Sequence, residues 1–267
     1  MPLAVCATPI GNLDDVTLRA LEELRAADVV LCEDTRHTRG LLARHRIRAR
    51  LLSYHEHNEA KRTAELLPRL ASGERIALVS DAGMPGISDP GARLIAAALE
   101  AGVPVTVLPG PSAVETALVA SGFAAERFLF LGFLPRGERA LASAWRELGG
   151  WPFPAIAFES PQRLPATLRS LARVDPGRAV AVCRELTKKF EEVVRGTAAE
   201  LAERFAEPPK GEITLVFGAR ETAAADAVAA AGAVAELVAA GAARGAAAEV
   251  VSRLTGVARN ELYRRTL

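Results

Sequence analysis

The residues best suited to chemistry stand in short polar segments that directly follow apolar runs typical of β-strands. Residues 33–39, EDTRHTR, hold two carboxylates, two guanidinium groups, a histidine and two hydroxyls. Asp34 could orient a substrate hydroxyl, and Arg36 and Arg39 could bind phosphate groups. The segment therefore predicts a site that handles a hydroxyl and a phosphate, although a solvated surface of the same composition is an alternative.

Charged groups also follow the apolar runs of the second half of the chain. They stand in FESPQR at residues 158–163 and in RELTKKFE at 184–191, and a further charged segment, KGEIT at 210–214, precedes the last strand. A lysine can act as a base when its surroundings lower its pKa. Asp34, Glu185 and Lys188 are therefore the predicted acid–base groups, and a structural ion pair is the alternative for each of them.

Three loops are rich in glycine, proline and small residues: TPIGN at 8–12, DAGMPGISDPG at 81–91 and PGPSA at 109–113. Such loops let a ligand approach the backbone closely. Each loop alone would be an ordinary turn. In an open α/β sheet, however, ligands bind outside the carboxyl ends of the strands, so three such loops at successive strand ends predict a ligand pocket.

The elements that must position these loops alternate between short strands and longer helices. This alternation predicts an α/β fold with a mainly parallel sheet and helices on both faces. Strands are predicted at 3–7, 29–32, 76–80, 105–108, 128–132, 155–158, 179–183 and 213–217, and helices at 17–26, 60–72, 91–101, 112–121, 161–172 and 197–206. The Ala-rich tail predicts three short helices at 233–240, 245–254 and 260–267.

Composition limits the classes of function. The 267 residues include 33 basic and 32 acidic side chains, so an RNA-binding function would need basic groups that cluster in space. No GxGxxG or GxxxxGK[ST] motif is present, which argues against an ordinary dinucleotide fold and a P-loop. His55-Glu56-His57 is interpreted as polar loop surface, and no metal site is predicted.

The cysteines and the hydropathy pattern indicate a cytoplasmic protein. Cys6, Cys32 and Cys183 are isolated from one another in apolar runs, so they are predicted to be buried and unpaired. No signal peptide and no run of about 20 apolar residues is found, so no association with a membrane is expected.

The segments ATPIGNLDDVTLRAL, CEDTRHT, LVSDAGMPGISDPG, LPGPSA, FLGFLP, FESPQR, CRELTKKFEE and KGEITLVFG are spread over residues 5–218. Together they resemble the tetrapyrrole methylase superfamily, and within it the branch that methylates small-subunit ribosomal RNA. The EDTR and RELTK segments separate that branch from the cobalamin and siroheme methylases.

The order of the predicted elements places domain boundaries near 122 and after 218, which gives domains at 1–122 and 123–219. The resemblance implies that both are α/β domains of the tetrapyrrole methylase type, with S-adenosylmethionine in the cleft between them. It also implies a homodimer that methylates the ribose 2′-hydroxyl of a cytidine in the decoding region of 16S rRNA. A helix-turn-helix-like tail at 220–267 is predicted to bind RNA of the small ribosomal subunit, and an Ala-rich extension that only packs on the body is the alternative.

The resemblance assigns the cofactor contacts, whereas the RNA contacts are inferred from arginines of the polar segments and of the tail. Cofactor binding is expected of Pro9, Asp81, Ala82, Gly83, Ser88, Pro109, Gly110, Ser112, Ala113, Phe158, Glu159, Arg184 and Ile213. RNA binding is expected of Arg36, Arg39, Arg163, Arg259 and Arg264.

Two other functions remain open at this stage. One is a methylase of tetrapyrroles or of a protein side chain, such as a diphthine synthase, which would not need the EDTR and RELTK segments or the tail. The other is a non-catalytic RNA-binding or ribosome-assembly factor that keeps the pocket without using it.

Overall fold

The computed structural model describes residues 2–219 and 227–267. The first half forms a five-stranded sheet in the order β3-β2-β4-β1-β5, and every pair of neighbouring strands is parallel. Its strands are β1 (Leu3–Cys6), β2 (Val29–Cys32), β3 (Leu51–Ser53), β4 (Ile76–Leu78) and β5 (Val105–Leu108). The carboxyl ends of all five strands therefore lie along one edge, as the sequence predicts.

Helices cover both faces of this sheet because successive strand residues point to opposite sides. Its helices are α1 (Leu18–Ala26), α2 (Thr35–Arg44), α3 (Glu59–Ala71) and α4 (Ala92–Glu100). Leu3 and Val5 pack with α3 and α4, whereas Ala4 and Cys6 pack with α1 and α2. The prediction of helices on both faces is confirmed.

The second half forms another five-stranded sheet, in the order β6-β7-β10-β8-β9. Only β6 and β7 are parallel, and the other neighbouring pairs are antiparallel. Its strands are β6 (Leu129–Phe133), β7 (Ala155–Glu159), β8 (Ala179–Arg184), β9 (Glu192–Thr197) and β10 (Ile213–Phe217). Its helices are α6 (Glu138–Gly149), α7 (Leu164–Val174) and α8 (Ala198–Arg204), which bury one face of the sheet.

Helix α5 (Ala113–Ser121) joins the two halves. It follows the last strand of the first sheet, but its buried residues Val114, Ala117 and Leu118 pack on the open face of the second sheet. Arg195 of β9 donates to the backbone oxygen of Ser121 at the end of this helix, at 2.7 Å. The domain limits at 122 and 219 remain a prediction. Helix α5, which ends beside the limit at 122, packs on the second sheet and is therefore shared by both halves.

The described part of the tail forms three helices, α9 (Ala227–Ala239), α10 (Arg244–Thr255) and α11 (Arg259–Arg265). They enclose a small apolar cluster of their own around Val234, Val251 and Leu262. Three helices agree with the prediction, although α9 begins earlier than predicted. The predicted start of the tail, at 220–226, lies outside the described residues. None of the described helices is long and apolar enough to cross a membrane.

Four elements differ from the prediction. Residues 33–39 are predicted to be a polar loop, but helix α2 already begins at Thr35, because Asp34 caps it by accepting the backbone N–H of Arg36 at 2.7 Å. Strand β3, helix α6 and strand β9 were not predicted. Strand β9 is partly exposed and carries charged residues, so its sequence lacks an apolar run.

The cysteine prediction is confirmed, since Cys6, Cys32 and Cys183 are all free and buried. Burial raises the pKa of the Cys6 and Cys183 thiols to about 12, so both stay protonated at neutral pH. Neither thiol is therefore a nucleophile.

Candidate active site

A cavity of about 550 Å³ lies between the two halves, at the carboxyl edge of the first sheet. Ligand pockets for small molecules typically enclose about 300–1,000 Å³. Loops after β1, β4 and β5 form one wall, and the other wall comes from β6, the ends of β7 and β8, and the start of β10. The cleft that the sequence predicts between two α/β units is therefore present.

The loop of residues 81–91 is held at both ends. Near its start, Gly83 and Thr8 exchange two backbone hydrogen bonds of 2.9 and 3.1 Å, which join this loop to the one after β1. At its end, the backbone N–H of Gly91 donates to the carboxylate of Glu59 at 3.0 Å. The φ of Gly83 is +74°, a conformation that a residue with a side chain rarely adopts. The cavity wall is thus a fixed loop.

Aromatic rings form much of the opposite wall. Phe130 and Phe133 contact Phe158 edge-to-face, with ring centroids 5.1 and 5.5 Å apart. Phe128, which directly precedes β6, and Phe130 both line the cavity, and a register shift between Phe130 and Phe133 accompanies the turn of Phe133 to the same wall. Phe128, Phe130 and Phe133 were not predicted as site residues, although the FLGFLP segment, which contains Phe130 and Phe133, stands out in the sequence.

Glu159 is a fully buried carboxylate at the end of β7. It accepts hydrogen bonds from the backbone N–H of Ser160 at 2.7 Å, from Arg163 Nε at 2.6 Å and from the Thr167 hydroxyl at 2.6 Å. Arg163 also donates to the backbone oxygen of Leu134 at 2.7 Å. These bonds fix the wall below Phe158 and occupy most of the lone pairs of the carboxylate.

Glu185 and Lys188 form an ion-pair network with Glu212 beside the cavity. Lys188 Nζ lies 3.0 Å from a carboxylate oxygen of each glutamate. Burial lowers the pKa of Lys188, but the two glutamates outweigh it and the net pKa is raised. The backbone N–H of Glu212, and then Lys188, lower the pKa of Glu185. Lys188 is therefore a protonated cation at neutral pH, which weakens the interpretation of its amine as a base.

The segment at 184–191, which carries Glu185 and Lys188, also joins the two halves at the rim of the cavity. The backbone N–H of Asn12, in the loop after β1, donates to the hydroxyl of Thr187 at 2.9 Å. A side chain at Gly11 would lie 2.6 Å from Lys188 Cγ, so only glycine fits between the loops. The segment at 184–191 therefore positions the first loop of the cavity.

Asp34 lies outside the cavity wall, although its backbone N–H donates to Asp81 at 3.1 Å. Its carboxylate accepts hydrogen bonds from the side chain and the backbone of Arg36, which lower its pKa to about 2. A carboxylate with so low a pKa is a weak base. The structure favours a helix-capping function for Asp34, and its role in catalysis stays a prediction.

The cavity brings together part of the predicted cofactor site. Its wall includes Ala82, Gly83, Ser88, Ser112, Ala113, Phe158, Glu159 and Ile213. The other predicted residues do not line the cavity. Pro9 and Asp81 line a small hollow beside α2, and Arg184 pairs with Glu192 at 3.1 Å. Pro109 and Gly110 connect β5 to α5.

Replacing Gly110 by leucine is expected to reduce the stability of the first half rather than to block the cavity. A Cβ atom at this position would lie 2.9 Å from the Cβ of Ala7, which is buried at the end of β1. Overpacking of this kind typically costs about 1–3 kcal/mol. Urea unfolding should show the loss. An unchanged unfolding midpoint together with weakened ligand binding would contradict this expectation.

The chain matches a known family over most of its length. The sequence profile of the Tetrapyrrole (Corrin/Porphyrin) Methylases matches residues 2–202. The chain belongs to the tetrapyrrole methylase family. Solved methyltransferase structures have a similar fold. One of them, a uroporphyrin-III C-methyltransferase from Thermus thermophilus complexed with S-adenosylhomocysteine, has a TM-score of 0.55 at 20% identity over 81% of this chain and 96% of that one.

Among the tetrapyrrole methylases, this chain is similar to curated proteins named ribosomal RNA small subunit methyltransferase I. One from Mesorhizobium japonicum is 45% identical over 99% of this chain and 91% of its own length. Another from Thermotoga maritima is 46% identical over 82% of this chain and 99% of its own length. The match with the M. japonicum protein extends over nearly the whole chain, beyond the two α/β units.

Proposed function

We propose that this tetrapyrrole methylase transfers a methyl group from S-adenosylmethionine to the ribose 2′-hydroxyl of a cytidine in 16S rRNA of the small ribosomal subunit. The similarity to the small subunit methyltransferase I proteins over nearly the whole chain carries this proposal. The cavity between the halves supports it, because it has the size of a small-molecule site and lies at the predicted strand ends.

The residues of the cavity suit a nucleoside cofactor. Phe130 and Phe158 offer flat apolar surfaces, and Ala82, Gly83 and Ala113 leave room for a ligand near the backbone. When bound, S-adenosylmethionine would supply an activated methyl group on a positively charged sulfur. The chain then contributes mainly alignment of the hydroxyl, since holding two reactants in place is worth about 7–11 kcal/mol in favourable cases.

Arginines near the cavity and on the tail are the proposed RNA contacts. Arg36 has a side chain that is 85% exposed, and Arg39 on the same helix is exposed as well. Arg259 and Arg264 are exposed on α11. Arg163 differs from them, since its ion pair with Glu159 holds it partly buried. We therefore propose the exposed arginines as phosphate contacts and Arg163 as a support of the wall.

Deleting residues 220–267 is expected to leave S-adenosylmethionine binding intact and to weaken binding of small ribosomal subunits. The described tail helices have their own apolar cluster, so their removal should not expose the hydrophobic cores of the two sheets. Each lost phosphate contact lowers the slope of log K against log[salt] by about 0.7–0.9. Filter binding between 50 and 300 mM salt would measure this. Equal affinity and equal slope for both proteins would mean that the tail is structural.

The proposed reaction can be tested with purified protein and labelled S-adenosylmethionine. We expect transfer to small subunits or to their naked rRNA, followed by recovery of a 2′-O-methylated cytidine by mass spectrometry of nuclease digests. Label on a base, on a ribosomal protein or on a tetrapyrrole would support one of the other methylase functions. Binding of subunits without transfer would support the non-catalytic assembly factor.

We also propose that the chain acts in the cytoplasm as a homodimer. The location follows from the proposed substrate, and the homodimer follows from the resemblance to the family. Sedimentation equilibrium at micromolar concentration would measure the mass, and a monomer of 28.2 kDa would contradict the dimer.

A further inference from the structure

The described wall of the cavity carries four carboxylates, and their surroundings differ. Glu159 is held by three donors, Glu212 pairs with Lys188, and Glu115 accepts a hydrogen bond from the Ser112 hydroxyl. Asp89 makes no hydrogen bond or ion pair with any other residue in the part of the chain that the structure describes. It is the one wall carboxylate, among those described, whose oxygens are free to accept a proton from a ligand.

Asp89 is also held in place. It lies two residues before Gly91, whose backbone N–H is fixed by Glu59 at 3.0 Å. The preceding Ser88 has a φ of +61°, which is unusual for a residue with a side chain. A side chain at Gly132 of β6 would lie 3.8 Å from the Ser88 hydroxyl, so the loop closely approaches the second half here. Asp89 therefore faces the cavity from a fixed loop.

The electrostatic environment suits a group that exchanges a proton near neutral pH. Burial, followed by repulsion from Glu33 and Asp81, raises the pKa of Asp89 to about 6. Glu33 follows β2 and Asp81 follows β4, so acidic groups from two neighbouring loops face Asp89. Burial and Asp81 also raise the pKa of Glu33. A base is most effective when its pKa lies near the working pH.

We propose that Asp89 is the general base of the methyl transfer, the carboxylate that accepts the proton of the ribose 2′-hydroxyl. This assignment rests on the proposed function. The O–H bond breaks as the new O–C bond forms, and Asp89 takes the proton. The C–S bond breaks with its electron pair left on sulfur, so neutral S-adenosylhomocysteine is released. Asp34 and Glu185 are less suited to this step because hydrogen bonds lower the pKa of each carboxylate and make it a weak base. Lys188 is less suited because its glutamate partners raise its pKa and keep the amine protonated.

The test compares Asp89→Asn, Asp89→Glu and the control Glu100→Gln. Glu100 is exposed at the far end of α4, the helix that follows the Asp89 loop. At saturating RNA and S-adenosylmethionine, single-turnover rates for Asp89→Asn should fall by about 10²–10⁴. Asp89→Glu should recover part of the loss, and Glu100→Gln should match the wild type. Calorimetry should show unchanged S-adenosylmethionine affinity for all three variants.

The pH dependence gives a second readout. For the wild type, kcat/KM should fall as the pH drops below about 6, because the base becomes protonated. This acid limb should be absent in the residual activity of Asp89→Asn and present in Asp89→Glu. A wild type without an ionisation near this pH would overturn the assignment even if Asp89→Asn did not fold.

Thermal unfolding gives a readout that is independent of activity. The pKa of Asp89 is higher in the folded chain than the ordinary value of 3.8, so the folded state binds more protons between these pH values. The wild type should therefore lose stability as the pH rises from about 4 to about 6. Asp89→Asn should unfold at a higher temperature than the wild type at pH 7, with a smaller difference at pH 5.

Three results would overturn the assignment of Asp89 as the general base and leave the proposed function intact. The first is a near-normal rate for Asp89→Asn, and the second is an acid limb that persists in this variant. The third is a rate that is low only at subsaturating S-adenosylmethionine and returns to the wild-type value at saturation. The third result would make Asp89 a cofactor ligand. Failure of the wild type to methylate any ribosomal RNA would instead contradict the proposed function, and the assignment of Asp89 as its general base would fail as well.

Discussion

Replacing Glu159 by alanine is expected to lower the free energy of unfolding of the second half by about 3–5 kcal/mol, the usual cost of removing one partner of a buried ion pair. The loss leaves Arg163 partly buried without its carboxylate and removes the acceptor of the Thr167 hydroxyl. Both tryptophans, Trp145 and Trp151, lie in the second half, so urea unfolding followed by tryptophan fluorescence reports on this unit.

Glu138→Ala is the matched control for Glu159→Ala. Glu138 also pairs with an arginine, Arg173, at 2.5 Å, but the two side chains are 71% and 64% exposed. Exposed pairs contribute about 0–1 kcal/mol, so this variant should unfold close to the wild type. Similar losses for both variants would show that burial of Glu159 does not decide the energetics of its pair.

Replacing Ala113 by tryptophan is expected to weaken S-adenosylmethionine binding by roughly 30- to 150-fold. Ala113 is the first residue of α5 and lines the cavity, so a large ring would occupy the space of the ligand. Overfilling a packed site typically costs about 1–3 kcal/mol, and the upper part of this range corresponds to that change in Kd. Isothermal titration calorimetry would measure the affinity.

Val119→Trp is the control for this substitution. Val119 lies on the same helix with 81% of its surface exposed, so the added ring extends into solvent. This variant should bind S-adenosylmethionine as the wild type does. If a folded Ala113→Trp protein also bound it with unchanged affinity, the cavity between the halves would not be the cofactor site.

The Ala113 prediction also separates the cavity from the residues behind it. Gly110 was predicted as a cofactor contact, but its Cα faces Ala7 rather than the cavity. Ala113, three residues later, lies on the wall. A loop that is predicted from its composition to bind a ligand thus contains both wall residues and packing residues, and only the folded structure distinguishes them.

The sequence by itself determined most elements of the first half, with α2 and β3 as the exceptions, and the edge at which its candidate site lies. Its strands are short apolar runs, and its helices repeat apolar residues with helical spacing, so local patterns suffice to predict them. Parallel strands align their carboxyl ends at one edge, so the loops at 81–91 and 109–113 had to lie there together. The buried cysteines follow from their apolar neighbours for the same local reason.

The tertiary structure alone decided the partners of the charged groups. Lys188 was a candidate base until Glu185 and Glu212 were found beside it, and Glu212 lies far from it in the sequence. Asp89 was not predicted at all, because its significance lies in the absence of a partner among the described residues and in its closeness to Glu33 and Asp81. A pKa depends on burial and on neighbouring charges, and the folded chain brings those neighbours together from distant loops.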